Sequence, residues 1–156
     1  LTQTLITMKK LKLIPILALI FMFNVASMCS SDDDNSSSSS SSPSQVNTNA
    51  TSGTWRVTLY SEDGSTQTSN FSGYAFTFAS GGALTAVNGS TTQSGAWETY
   101  SDSGSTKMGI FFSASNGSFE SISEDWNVLS SSSSKIALKH VSGGDGSIDL
   151  LTFEKN

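Results

Sequence analysis

Cysteine, histidine and proline are scarce in this chain of 156 residues. The single cysteine, Cys29, excludes an internal disulfide, so a folded domain depends on its apolar core. The single histidine, His140, leaves the abundant serines without an evident partner base, and no Gly-x-Ser-x-Gly motif is present. We therefore predict no enzymatic activity and no cofactor.

Basic residues are also few, with 8 lysines and arginines against 13 aspartates and glutamates. Removal of residues 1–28 would take away three lysines and no acid, and would leave a formal charge of −8. A chain this acidic lacks the positive surface that nucleic acids require, so we predict no nucleic-acid binding. Its carboxylates also lack the spacing of a calcium loop, and we predict no metal site.

The first part of the chain has the pattern of a secretory signal. Three lysines shortly after Met8 precede an apolar run over residues 13–25. This run is too short and too close to the N-terminus to predict a membrane-spanning helix. We expect residues 1–28 to be a cleaved signal peptide, with Met8 as the natural start and residues 1–7 as upstream translated sequence.

The five residues that end at Cys29, Val-Ala-Ser-Met-Cys, resemble the lipobox of bacterial lipoproteins. They depart from the usual pattern at Met28, where a small residue is normal, and at Ala26, where leucine is commoner. The resemblance implies lipidation of Cys29, and two or more acyl chains hold a protein stably on a membrane. The alternative is an ordinary secreted protein in which Cys29 is a free thiol.

A polar segment follows the cysteine. Ser30-Ser31-Asp32-Asp33-Asp34 resembles the acidic export tag of surface-exposed lipoproteins in Bacteroidota-type bacteria. This implies an outer-membrane location, with display at the surface or toward the periplasm left open. A serine run over residues 36–42 cannot bury enough apolar area to offset its ordering entropy. We therefore expect residues 29–52 to form a lipidated, disordered Ser/Asp-rich tether to the membrane.

Residues 53–156 alternate between short apolar runs and clusters of Gly, Ser, Asn and Asp. In each run, apolar side chains recur at every second position, as in a strand with one buried face. The strand spacing predicts an all-β fold, an antiparallel up-and-down barrel of about eight strands, with a sandwich as the alternative. The predicted strands contain residues 54–60, 74–78, 84–86, 96–100, 107–113, 118–129, 136–141 and 147–155.

Several short motifs resemble the small lipocalin-like domains of Bacteroidota lipoproteins. Gly53-Thr54-Trp55 looks like the G-x-W motif that opens lipocalin-like barrels, and Gly95-Ala96-Trp97 repeats it in mid-chain. The resemblance covers about residues 53–156 and implies a lipocalin-like barrel. It also implies that Trp55 closes the barrel floor with a basic side chain across its ring, for which Lys155 is the candidate.

The apolar faces of the predicted strands offer one function. A barrel of eight strands is either filled by its own side chains or holds one small ligand. If it holds a ligand, we expect a small apolar molecule against the inward side chains. The predicted ligand-binding residues are Trp55, Tyr74, Phe76, Phe78, Trp97, Met108, Phe112 and Trp126.

The alternative function is a structural or interaction domain. In that case the same residues form a packed core, and the outer face meets another envelope component. Tyr60, Tyr100 and Phe111 are then expected to be exposed and grouped on one patch. Both hypotheses place a monomeric domain at the cell envelope, and the sequence names neither a ligand nor a partner.

Overall fold

The computed structural model describes residues 41–113 and 117–156, most of which form one antiparallel sheet. The predicted signal peptide, the predicted lipidation site at Cys29 and the first part of the predicted tether lie outside the described residues. A 3-10 turn connects the second and third strands at Thr68–Phe71. The other elements are α1 (Pro43–Ala50), β1 (Thr54–Glu62), β2 (Ser65–Thr66), β3 (Ala75–Phe78), β4 (Ala83–Asn88), β5 (Thr91–Asp102), β6 (Ser105–Phe112), α2 (Gly117–Ser121), β7 (Asp125–Ser131), β8 (Lys135–Val141) and β9 (Ile148–Lys155).

The sheet is closed into a barrel because the first long strand pairs with the last. β1 pairs with β3 on one side and with β9 on the other, and β3 to β9 follow one another in chain order. The two residues of β2 only extend the end of β1. The prediction of an eight-stranded antiparallel up-and-down barrel is therefore confirmed. Closure leaves no long edge strand for unwanted pairing among the described strands.

Two bulges change which side chains face inward. In β1 the register with β9 shifts between Val57 and Leu59, and in β7 the register with β8 shifts between Val128 and Ser130. An extra residue in a strand reverses the alternation that follows it. Val57 is therefore buried before the bulge and Tyr60 after it. The prediction that Tyr60 is exposed is wrong for this reason, because Tyr60 has no exposed surface.

The predicted disordered tether ends earlier than Ser52. Residues 43–50 form the helix α1, which begins with Pro43 at its first position, and the Ser42 hydroxyl accepts a hydrogen bond from the Gln45 N–H at 3.3 Å. Proline is favoured there because the first helical N–H has no partner within the helix. Val46 and Ala50 are fully buried against the barrel. The prediction of disorder is wrong for this helix, and the folded domain begins before residue 53.

The predicted strand over residues 118–129 is also corrected. Its first part forms α2, and only the part from Asp125 onward is a strand. Phe119 and Ile122 are both buried, although strand alternation would place them on opposite faces. Their spacing of three residues is the spacing of one helical turn, so both reach the core from the same side.

Short segments cover the two ends of the barrel. At the α1 end, the indole N–H of Trp55 donates a 2.8 Å hydrogen bond to the carbonyl oxygen of Ala50. At the opposite α2 end, Phe119 packs edge-to-face against Phe71 of the 3-10 turn, with ring centroids 5.5 Å apart. The apolar interior is thus covered where a simple barrel would be open.

Candidate functional site

The eight residues that were predicted to bind a ligand all belong to the barrel interior or pack against it. Tyr74 and Phe112 are partly buried. The remaining six are at most 3% exposed, namely Trp55, Phe76, Phe78, Trp97, Met108 and Trp126. These side chains therefore belong to one apolar core or pack against it.

Aromatic rings occupy the middle of the barrel. The ring of Phe153 lies 5.3 Å from the rings of both Phe76 and Phe78, centroid to centroid. Phe76 also contacts Phe112 and Phe119, each with a centroid distance of 6.2 Å. These separations are typical of direct aromatic contact. The predicted ligand-binding residues thus contact one another and serve as the core in this structure.

The polar atoms of the three tryptophans are also satisfied within the chain. The indole N–H of Trp97 donates to the Ala79 carbonyl at 2.9 Å, and that of Trp126 donates to the Ile122 carbonyl at 3.0 Å. Trp55 is bonded to the α1 backbone as described above. Since every indole donor has a backbone acceptor, none of them is left to orient a ligand in the interior.

The floor arrangement that the lipocalin-like resemblance implies is present. Trp55 pairs with Lys155 across β1 and β9, and the Lys155 Nζ lies 5.7 Å from the centre of the Trp55 ring. The same ammonium group donates a 2.9 Å hydrogen bond to the Ser52 hydroxyl. A cation at this distance from an indole face is attracted to it, although lysine stacks less well than arginine. This contact connects the last strand to the segment that follows α1.

A cluster of titratable side chains lies at the α2 end. His140 and Asp149 are directly opposite each other on β8 and β9, and their Nδ1 and Oδ2 atoms are 3.8 Å apart. The Nε2 of His140 is 4.0 Å from Glu124 Oε2. The Nδ1 atom is buried and has no hydrogen-bond partner within the described residues. The two carboxylate neighbours of His140 were not predicted from the sequence.

Tyr60 belongs to the same region and was not identified by sequence reasoning. Its hydroxyl donates a long hydrogen bond of 3.4 Å to the Ser121 carbonyl of α2. Burial raises the pKa of Tyr60 to about 12, and the nearby carboxylates of Glu62, Asp149 and Glu124 add to the effect. The phenol thus stays neutral and holds α2 against β1. Across residues 41–113 and 117–156, no three His, Cys, Asp or Glu side chains are grouped so as to hold a metal ion.

An open groove of about 420 Å³ lies on the outside of the barrel at the α2 end. It runs between the turn that follows β1 and the turn that precedes β9. Its apolar surface comes from β9, and its polar groups come from the two turns. The groove is lined by Ser61, Asp63, Gly64, Gly146, Ser147, Ile148 and Leu150.

The exposed aromatic patch that the interaction hypothesis predicts is only partly present. Phe111 is 42% exposed on the outer face of β6, whereas Tyr100 is partly covered on β5. Burial raises the pKa of Tyr100, and the neighbouring Asp125 carboxylate contributes further. With Tyr60 inside the barrel, the three aromatics do not form one exposed patch.

No helix in the described part of the chain has the length and apolar character needed to cross a lipid bilayer.

Comparison with known proteins finds a partial structural similarity at low sequence identity. A crystal structure of a DUF4847 family protein from Bacteroides vulgatus ATCC 8482 is similar to this chain with a TM-score of 0.47 and 17% identity. The match covers 69% of this chain and 94% of that chain. No protein-family model and no curated protein matches the sequence. This similarity assigns neither a family nor an activity to the chain.

The buried Tyr60 predicts a loss of stability at alkaline pH. Between about pH 10 and 12, tyrosine in the unfolded chain loses its proton while buried Tyr60 keeps it. The unfolded state then binds fewer protons than the folded state, so the free energy of unfolding falls as the pH rises. We expect the urea midpoint of the wild type to fall more steeply over this range than that of Tyr60→Phe.

Tyr74→Phe is the matched control, because Tyr74 is only partly buried. It should retain the wild-type pH dependence. An equally steep fall in Tyr60→Phe would show that Tyr60 does not keep its proton in the folded state.

Proposed function

We propose that this protein is a membrane-anchored lipoprotein whose barrel acts through its outer surface and carries no ligand in its interior. The observation that carries this proposal is the filled interior. The ring of Phe153 contacts those of Phe76 and Phe78, and all three belong to the buried core of the barrel, where a lipocalin-type carrier would hold its ligand. Between the two hypotheses from the sequence, this packing favours the interaction domain. The proposal includes no catalytic step.

The two covered ends support the same conclusion. A ligand that enters a barrel needs one open end, or a cover that can move. Here α1 covers one end with Val46 and Ala50, both fully buried, and the other end is covered by Phe71 and Phe119. Opening either end would expose apolar side chains to water at roughly 25 cal/mol per Å². The closed form is therefore favoured in the absence of cargo.

Lipidation at Cys29 would attach the chain to the membrane on its α1 side. Only residues 30–42 separate Cys29 from Pro43, the first residue of α1. The outer membrane remains the proposed location, on the basis of the acidic sequence after the cysteine. Display at the cell surface and display toward the periplasm both remain compatible with this arrangement.

The distribution of charge supports this orientation. The α1 end holds three of the five lysines and arginines in residues 41–113 and 117–156, together with Asp102 and Glu154, whereas Lys107 and Glu98 lie farther inside β6 and β5. The α2 end holds seven acids together with Lys139 and His140. An acidic end is repelled by anionic headgroups, and a basic end is not. The basic residues at the α1 end are Arg56, Lys135 and Lys155, and the acids at the α2 end are Glu62, Asp63, Glu120, Glu124, Asp125, Asp145 and Asp149.

The anchor is tested by Cys29→Ser in a bacterial host that processes lipoproteins. We expect the wild type to incorporate an alkyne-tagged fatty acid and to sediment with membranes. Cys29→Ser should lose the label and appear in the soluble fraction, because no other thiol is present for acylation. Ser31→Ala is the matched control and should behave as the wild type. Incorporation of the label by Cys29→Ser would contradict lipidation at Cys29.

The filled interior is tested with a neutral apolar fluorophore such as N-phenyl-1-naphthylamine. We expect no saturable one-to-one binding and no change in tryptophan emission, since the probe finds no interior space. Weak adsorption to the surface should decrease in Phe111→Ser, which removes an exposed aromatic ring. Saturable binding that quenches tryptophan and is unchanged in Phe111→Ser would restore the carrier hypothesis.

A further inference from the structure

The outer groove at the α2 end combines apolar side chains with nearby acidic residues. Ile148 is 46% exposed, and its cross-strand neighbour Val141 is 43% exposed. Leu150 lies next to Ile148 on the same outward face of β9, because Asp149 and Leu151 between and beyond them point inward. Three aliphatic side chains therefore form one outward surface beside the groove.

Two hydrogen bonds order the groove, one from the first turn to β9 and one within the second turn. The backbone N–H of Asp63 donates to Asp149 Oδ1 at 2.9 Å, which connects the turn after β1 to β9. The N–H of Ser147 donates to Asp145 Oδ1 at 3.0 Å in the facing turn. Asp63 itself adopts a positive φ of 46°, a conformation that non-glycine residues rarely take. A preformed groove of this kind loses little conformational entropy when a partner binds.

The charge around the groove selects for a positive partner. Asp63 lines the groove, and Glu62 and Asp145 lie in or next to the same turns. Hydrogen bonds from Ser147 lower the pKa of Asp145, so this carboxylate stays ionised at neutral pH. Lys139 lies opposite Leu150 on β8 and offsets only part of this charge. An anionic ligand would be repelled here, and a purely apolar one would leave the carboxylates without a counter-charge.

We propose that the groove binds a short segment of a partner protein in which a lysine or arginine lies between aliphatic residues. The aliphatic side chains would cover Ile148, Leu150 and Val141, and the cation would lie against the Asp63 carboxylate. The inference rests on the proposed function, because it places the interaction surface on the end of the barrel that faces away from the membrane. A cation beside apolar side chains matches both the acidic and the aliphatic parts of the groove.

The proposal is tested with two model peptides and the full purified chain. Acetyl-Leu-Lys-Leu-amide presents the cation between aliphatic side chains, and acetyl-Leu-Glu-Leu-amide is its charge-reversed control. We expect the lysine peptide to shift the methyl NMR signals of Ile148, Leu150 and Val141 with weak affinity that decreases with added salt. The glutamate peptide should leave these signals in place.

Single variants separate the contribution of the acidic charge from that of the aliphatic surface. Asp63→Asn removes the charge and keeps a residue that tolerates positive φ. It should weaken binding of the lysine peptide about three- to fivefold. Ile148→Ser removes the most exposed of the three aliphatic side chains and should weaken binding of the lysine peptide about tenfold. Val87→Ser is the matched control, because Val87 is 39% exposed on β4 and does not line the groove. It should bind as the wild type does.

Three outcomes would overturn the groove proposal. The first is the absence of any shift up to the solubility of the lysine peptide, and the second is an equal response to both peptides. The third is a concentration-dependent shift of Ile148 without peptide, which would assign the groove to a second copy of the chain. Failure of the proposed function gives a different signal, because an interior ligand would shift the Met108 and Ile110 methyl groups instead.

Discussion

Contact between the rings of Phe76, Phe78 and Phe153 determines what this barrel can do. Each buried aromatic side chain removes about 150–250 Å² from water, so each contributes on the order of 4–6 kcal/mol before entropy is counted. A small domain without an internal disulfide depends on such contributions. The same rings occupy the volume in which a carrier of this size would place its ligand. Stability and ligand carriage would compete for this space, and in this structure core side chains contact one another there.

Closure at both ends follows from the filled interior. The core reaches the ends of the strands, so its outermost side chains need a cover. Trp55 is covered by α1, and Phe76 contacts Phe119 of α2. The polar atoms at these ends are satisfied by backbone carbonyls or, around Tyr60, lie among carboxylates. What remains available for recognition is the outer surface, where charge is divided between the two ends.

The strands could be predicted because the alternation of apolar residues reports directly on burial. The incorrect predictions, for Tyr60 and for α1, have physical causes that the alternation of apolar residues does not reveal. The bulge in β1 reverses the faces after Val57, which brings Tyr60 inside. Helix α1 has only two buried residues within a polar, serine- and asparagine-rich segment. A helix this short is not stable alone and forms because it docks on the barrel. Its sequence therefore resembles that of the tether before it.

The candidate sites could be predicted only in part. The eight inward residues were found, because a ligand wall and a packed core require the same apolar residues on the same faces. The choice between them depends on the volume left between side chains, which sequence does not report. The outer groove depends on the pairing of β1 with β9, about 90 residues apart. The neighbours of His140 come from the β8–β9 hairpin, which supplies Asp149, and from the turn from α2 into β7, which supplies Glu124.

Acrylamide quenching of tryptophan emission tests the sealed interior most directly. The three indoles belong to different parts of the barrel and are at most 3% exposed. A sealed interior predicts tryptophan emission at short wavelength and a quenching constant far below that of free indole. Neither quantity should change when an apolar compound is added. A quenching constant that approaches the free-indole value, or that falls when an apolar compound is added, would show that the interior is accessible and would contradict a sealed barrel.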